Sequence, residues 1–123
     1  MKKALITSVA ALGLFMLSCK HEVVTPTSPV VSFATDVNPI IIGNCTQARC
    51  HGDVDPAEFP LLTYDDVIQH GHVKPGNADN SRLFNSIAKL NGENVMPQEP
   101  YKRLSDKQIQ IIYLWIMQGA QNN

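Results

Sequence analysis

The chain has 123 residues, 44% of them hydrophobic and 17% charged, with 10 basic against 11 acidic residues and a formal net charge of −1. That length leaves room for one domain and excludes a multi-domain enzyme, and the composition excludes bulk disorder. No run of Lys or Arg exceeds two residues, so a basic nucleic-acid-binding stripe is excluded, and no apolar stretch reaches the ~18 residues of a membrane-spanning helix.

Lys2 and Lys3 precede an apolar run over 4–17 that only Thr7, Ser8 and Gly13 interrupt. The run is too short to cross a bilayer and fits the hydrophobic region of a secretory signal. It ends in Met16-Leu17-Ser18-Cys19. This segment resembles a bacterial lipobox, with Met16 where Leu is more usual. The resemblance implies a lipoprotein signal peptide over 1–18, lipidation of Cys19, and an extracytoplasmic, membrane-anchored location on the periplasmic side or the cell surface. The alternative is an ordinary signal peptide with a chance cysteine. Losing Lys2 and Lys3 takes the 10 basic residues to 8 against 11 acidic ones, a net charge of −3. Residues 19–32, which carry Thr25, Pro26, Thr27, Ser28 and Pro29, read as an extended tether. The folding unit is then 33–121, and so small a core often needs a staple or a cofactor.

Val37, Ile40 and Ile41 fall at i, i+3 and i+4. With Thr35 or Asp36 as N-cap and Pro39 in the first turn, they predict a helix running toward Cys45. Gly52, Asp53, Asp55 and Pro56 punctuate a loop. Thr63 caps a short helix over 64–69 that Gly71 ends, with Asp65 and Asp66 at its exposed N-terminus. Lys74-Pro75-Gly76-Asn77 is a turn signal. Asp79 or Asn80 then opens a third helix bearing Leu83, Phe84, Ile87 and Leu90, stopped at Asn91-Gly92. Pro97 and Pro100 exclude a regular helix over 93–102. Ser105 with Gln108 forms a capping box for a last helix, with Ile109, Ile112, Tyr113 and Ile116 on one face and Gly119 as its stop. No strand pattern of length appears, so the class is all-α. The loops at 52–62 and 91–104 are long for so small a domain and point to something they wrap around, such as a large apolar cofactor.

The chemistry concentrates in Cys45-Thr46-Gln47-Ala48-Arg49-Cys50-His51. A cysteine pair followed at once by histidine is the pattern of covalent haem attachment: two thiols add across the vinyl groups and the adjacent imidazole reaches the iron. Four residues separate these cysteines where two are usual. A local Cys45–Cys50 disulfide in an oxidising compartment is the first alternative. A zinc site drawing on His70 and His72 is the second. Four side chains compete as a sixth ligand of a haem iron. Met117 reads as core packing on the last helix. His70 and His72, on either side of Gly71, read as exposed residues at a helix end. Met96 differs, because Pro97 holds its segment out of a helix and presents a thioether on a fixed loop.

Taken in order, Ile40-Ile41-Ile42-Gly43-Asn44-Cys45, Cys50-His51-Gly52, Leu61-Leu62-Thr63-Tyr64, Val73-Lys74-Pro75-Gly76-Asn77, Ser81-Arg82-Leu83-Phe84, Met96-Pro97 and the closing segment 104–120 form a familiar series. The chain resembles small class-I-like c-type cytochromes, of the type found as lipoprotein domains in Bacteroidetes and Planctomycetes. Gln98 stands where a second proline is typical. The resemblance implies an all-α fold of three to five short helices around one covalent haem c, with thioethers at Cys45 and Cys50, and His51 and Met96 as axial ligands. It also implies that the first and last helices pack together, Ile40 and Ile41 meeting Ile112, Trp115 or Ile116. The expected function is electron transfer between redox partner proteins, with no catalytic residue and with the membrane reached through the lipid. The competing classes are a cofactor-free, disulfide-stapled binding or structural lipoprotein and a five-coordinate haem sensor or enzyme.

Overall fold

A computed structural model describes residues 26–89 and 94–123. The signal segment, Cys19, Leu90 and the Asn91-Gly92 stop lie outside these. Among the described residues there are four α-helices and no strand. They are α1 (Asn38–Cys45), α2 (Tyr64–His70), α3 (Arg82–Ala88) and α4 (Asp106–Met117), with a π-helical turn, Phe33–Val37, leading into α1. No helix of the described residues is long and apolar enough to cross a membrane.

The first helical segment starts earlier than its apolar spacing indicates. Ser32, not Thr35 or Asp36, is the cap: its hydroxyl accepts the Thr35 N–H, while its carbonyl accepts the N–H groups of both Asp36 and Val37. The widened turn lowers Phe33 into the core, where its ring meets Tyr64 edge-on at 5.2 Å and Trp115 at 5.4 Å. The first segment therefore packs on α4 through this turn more than through α1, and α3 packs on α4 to a similar extent. Ile40 and Ile41 still share one core with Ile112, Trp115 and Ile116. Burying each such side chain contributes roughly 1.5–3 kcal/mol.

The packed unit also exceeds 33–121. Val31 is buried, and its N–H donates to the Gln118 Oε1 at 2.9 Å, while the Gln118 Nε2 donates to the Pro29 carbonyl at 2.7 Å. Asn123 accepts from the Ser32 hydroxyl and from the N–H groups of Phe33 and Ala34. The two ends of the domain are thus clipped together.

The anticipated Ser105–Gln108 capping box forms, and the Thr63 cap turns out to be a second one, closed reciprocally by Asp66. The α4 terminus is a Schellman closure: Ala120 N–H donates to Trp115 O and Gly119 N–H to Ile116 O, with Gly119 at φ +98°. Lys74–Asn77 is a turn with Gly76 at φ +76°. The third helix is opened by Ser81 rather than Asp79 or Asn80. The Ser81 side chain is fully buried. Its hydroxyl accepts the Lys74 N–H and donates to the Asn77 carbonyl, both at 2.8 Å, fixing α3 to the turn.

Candidate functional site

The C-terminus of α1 hands directly into the cysteine loop. Helix ends leave carbonyls without intrahelical partners. Here side chains supply donors: Asn44 Nδ2 to Ile40 O at 2.7 Å, Thr46 Oγ1 to Ile42 O at 2.7 Å and Gln47 Nε2 to Gly43 O at 2.9 Å. Two of the four residues between the cysteines therefore finish the helix. The loop then closes on itself, Cys50 N–H to Gln47 O and His51 N–H to Cys45 O, both 2.9 Å. Arg49 makes the reversal at φ +65°. Gly52 passes so close to the Thr46 carbonyl that a Cβ there would sit 2.7 Å from the oxygen.

This closure turns Cys45, Cys50 and His51 onto the wall of one cavity of about 560 Å³. Leu61, Leu83, Ile87 and Met96 line it too. Met96 comes from a distant irregular segment, and its N–H is tied to the Ser86 carbonyl of α3 at 2.9 Å. Arg103 closes the same segment from its other end, donating to the carbonyls of Ile87 and Lys89. A second, more open depression of about 360 Å³ lies between α3 and α4 and carries neither cysteine nor histidine.

Both cysteines are free thiols in this fold, without a bridge between them. Burial, with the neighbouring Cys50 adding, pushes the Cys45 thiol up to about 11, so it is protonated at neutral pH. No group of three His, Cys, Asp or Glu side chains among the described residues is placed to hold a metal ion. The zinc arrangement with His70 and His72 is therefore not formed.

The His51 Nδ1 lies 2.9 Å from the Phe59 carbonyl oxygen. A carbonyl only accepts, so Nδ1 carries the ring proton and Nε2 keeps its lone pair. That is the tautomer a metal-ligating imidazole needs. Of the other candidates, Met117 is buried in the core and His72 is exposed; neither lines the cavity. His70, expected to be exposed, is half-buried on the cavity wall and stacks on Phe59. Sequence reading missed Phe59; the available signal was an aromatic residue eight positions after His51 inside a long loop.

The pocket fits a haem c. Its volume lies within the roughly 300–1,000 Å³ of cofactor sites. Its walls are mostly apolar, with Arg49, Glu58 and Arg82 among the polar side chains on them, and two thiols and a correctly tautomerised imidazole share it with a thioether. No curated protein and no solved structure matches the chain. Residues 48–100 match the family described as Planctomycete cytochrome C, a stretch that holds Cys50, His51 and Met96 and begins after Cys45. With the all-α fold, this match supports a cytochrome c-like domain in the chain.

Proposed function

We propose that the protein is a lipid-anchored monohaem c-type cytochrome that shuttles electrons outside the cytoplasm, with His51 and Met96 as axial ligands. The observation that carries this reading is the convergence of Cys45, Cys50, His51 and Met96, from two remote segments, on one mostly apolar cavity. Cys45 and Cys50 would hold the group through thioethers. His51 Nε2 and the Met96 sulfur would each offer a lone pair. When bound, haem c supplies a one-electron couple. The chain's part is to exclude water with Leu61, Leu83 and Ile87 and to favour the reduced state with a thioether ligand. Electron transfer requires no general acid, base or nucleophile from the protein. The anchor would be lipid on Cys19, and the mature charge of −3 would steer the domain toward basic surfaces on redox partners.

The test is a haem stain on a denaturing gel, since covalent haem alone survives it. Expressed with a cytochrome c maturation system, the wild type stains, and the Cys45→Ser/Cys50→Ser double variant does not. A stained double variant, or a colourless wild type, refutes the reading.

A further inference from the structure

Phe59 meets His51 twice. Its carbonyl accepts the Nδ1 proton at 2.9 Å, and its ring stacks on the imidazole with centroids 4.7 Å apart and planes 20° apart. The other face of the Phe59 ring is covered by His70, with centroids 4.9 Å apart and planes only 9° apart. The rings form one stack, His51–Phe59–His70, whose outer members belong to different elements: the cysteine loop and the last residue of α2. Phe59 itself sits in an irregular segment. Backbone bonds fix the chain on either side of it, Ala57 N–H to Cys50 O at 2.9 Å and Leu61 N–H to His51 O at 2.8 Å. Neither involves the Phe59 peptide group, whose tilt decides where its carbonyl points.

We infer that His70 is a positioning residue: by stacking on Phe59 it holds the Phe59 carbonyl on the His51 Nδ1–H, and so sets the orientation and donor strength of the imidazole in the cavity. The inference rests on the haem reading above and deepens it. An imidazole whose Nδ1–H is hydrogen-bonded is a stronger donor at Nε2, which favours ferric iron. Loosening the stack weakens that bond and raises the reduction potential. The adjacent histidine, His72, is exposed and outside the stack, which makes it a control on the same short stretch of chain.

The experiment uses the haem-loaded full chain, reduced so that the iron is diamagnetic. Two quantities are read: the solvent-exchange rate of the His51 Nδ1 proton by NMR, and the reduction potential. His70→Ala speeds exchange by about two-fold to about twelve-fold, the range that a single aromatic pair is worth, and raises the potential. His70→Phe, which keeps a stacking ring, restores both, and His72→Ala changes neither. Phe59→Leu keeps the carbonyl but removes the ring; it reproduces the His70→Ala effect and replaces that variant should it fail to fold. Unchanged exchange and potential in His70→Ala or Phe59→Leu, or no rescue by His70→Phe, overturns the inference. A wild type without covalent haem refutes the proposed function alone, and the same proton followed in the colourless protein then decides the stack.

Discussion

Replacing Gly52 by Ala tests the loop closure that brings Cys50 and His51 to the cavity. The new Cβ would lie 2.7 Å from the Thr46 carbonyl oxygen, whereas ordinary contact begins at 3.4 Å. The obstacle is backbone, and the bonds His51 N–H to Cys45 O and Cys50 N–H to Gln47 O pin it. Relief has to stretch that ring of bonds, and overpacking of this kind costs about 1–3 kcal/mol. In a domain this small each kcal/mol moves Tm by about 4–8 °C, so the expected fall is roughly 4–24 °C. The same substitution at Gly43, in α1, meets nothing within 4 Å. Alanine is the better helix former there by about 0.5–1 kcal/mol, so Tm rises by roughly 2–8 °C. Thermal unfolding of both variants, followed by far-ultraviolet circular dichroism in one redox state, reads the two signs side by side. A Gly52→Ala protein within about 0.5 kcal/mol of wild type, or a Gly43→Ala protein destabilised as much as Gly52→Ala, refutes the geometry argued for the loop.

Met96→Ala retains covalent haem but loses the sulfur-to-iron charge-transfer band at the red end of the ferric spectrum and lowers the reduction potential; retention of the band shows that another side chain holds the sixth position. Cys19→Ala leaves haem attachment intact and releases the protein from membranes, as fractionation against wild type will show, and unchanged retention refutes the lipid anchor. Thr63→Ala removes a cap of α2 and costs about 0.5–2 kcal/mol in denaturant unfolding. Desolvation raises the Asp66 carboxyl, but the bonds to Thr63 and to the Leu62 N–H, with His70 nearby, together outweigh it and hold the group below its ordinary value. Its contribution is therefore full above the unfolded value of 3.8 and is lost as pH falls through the lower folded value. The stability gap between wild type and Asp66→Ala should narrow over that acid range, and a gap independent of pH contradicts the assignment.

Local chemistry was the legible part of the fold. The Thr63 cap, the Ser105 capping box, the Gly119 stop and the Lys74–Asn77 turn each depend on residues a few positions apart, and each forms. What depended on distant partners was not legible. The Ser32 cap and the π-helical turn are bound up with burying Phe33 between Tyr64 and Trp115, residues far along the chain. Pro39 drew the helix start toward itself, although it sits within an already running segment. Cys45, Cys50, His51 and Met96 could be singled out because each carries a distinctive donor atom, and the fold brings all four to one cavity. The different surroundings of His70 and His72 could not be read. Their local signals are alike, and the separation comes from the end of α2 and from His72 adopting φ +43°, after which one ring lies against Phe59 and the other is exposed.

The clip between residues 29–34 and 118–123 bears on how this domain can be handled. From Phe33 the π-helical turn and α1 run without interruption to Cys45, which at about 1.5 Å per residue carries the chain roughly 18 Å from clip to cavity. Tyr64, at the start of α2, binds the Ala120 carbonyl beside the clip, while His70 at the other end of that helix lines the cavity. Two helices therefore span the same gap in the same direction. Whatever is joined upstream of Pro29, whether a lipid, a surface linker or a fused protein, meets the domain at the pole remote from the cysteines. A fusion made there is a handle that leaves the cavity free, whereas trimming Asn123 would remove its bonds to Ser32, Phe33 and Ala34, about 90 positions away, and leave Gln118 alone to hold the clip.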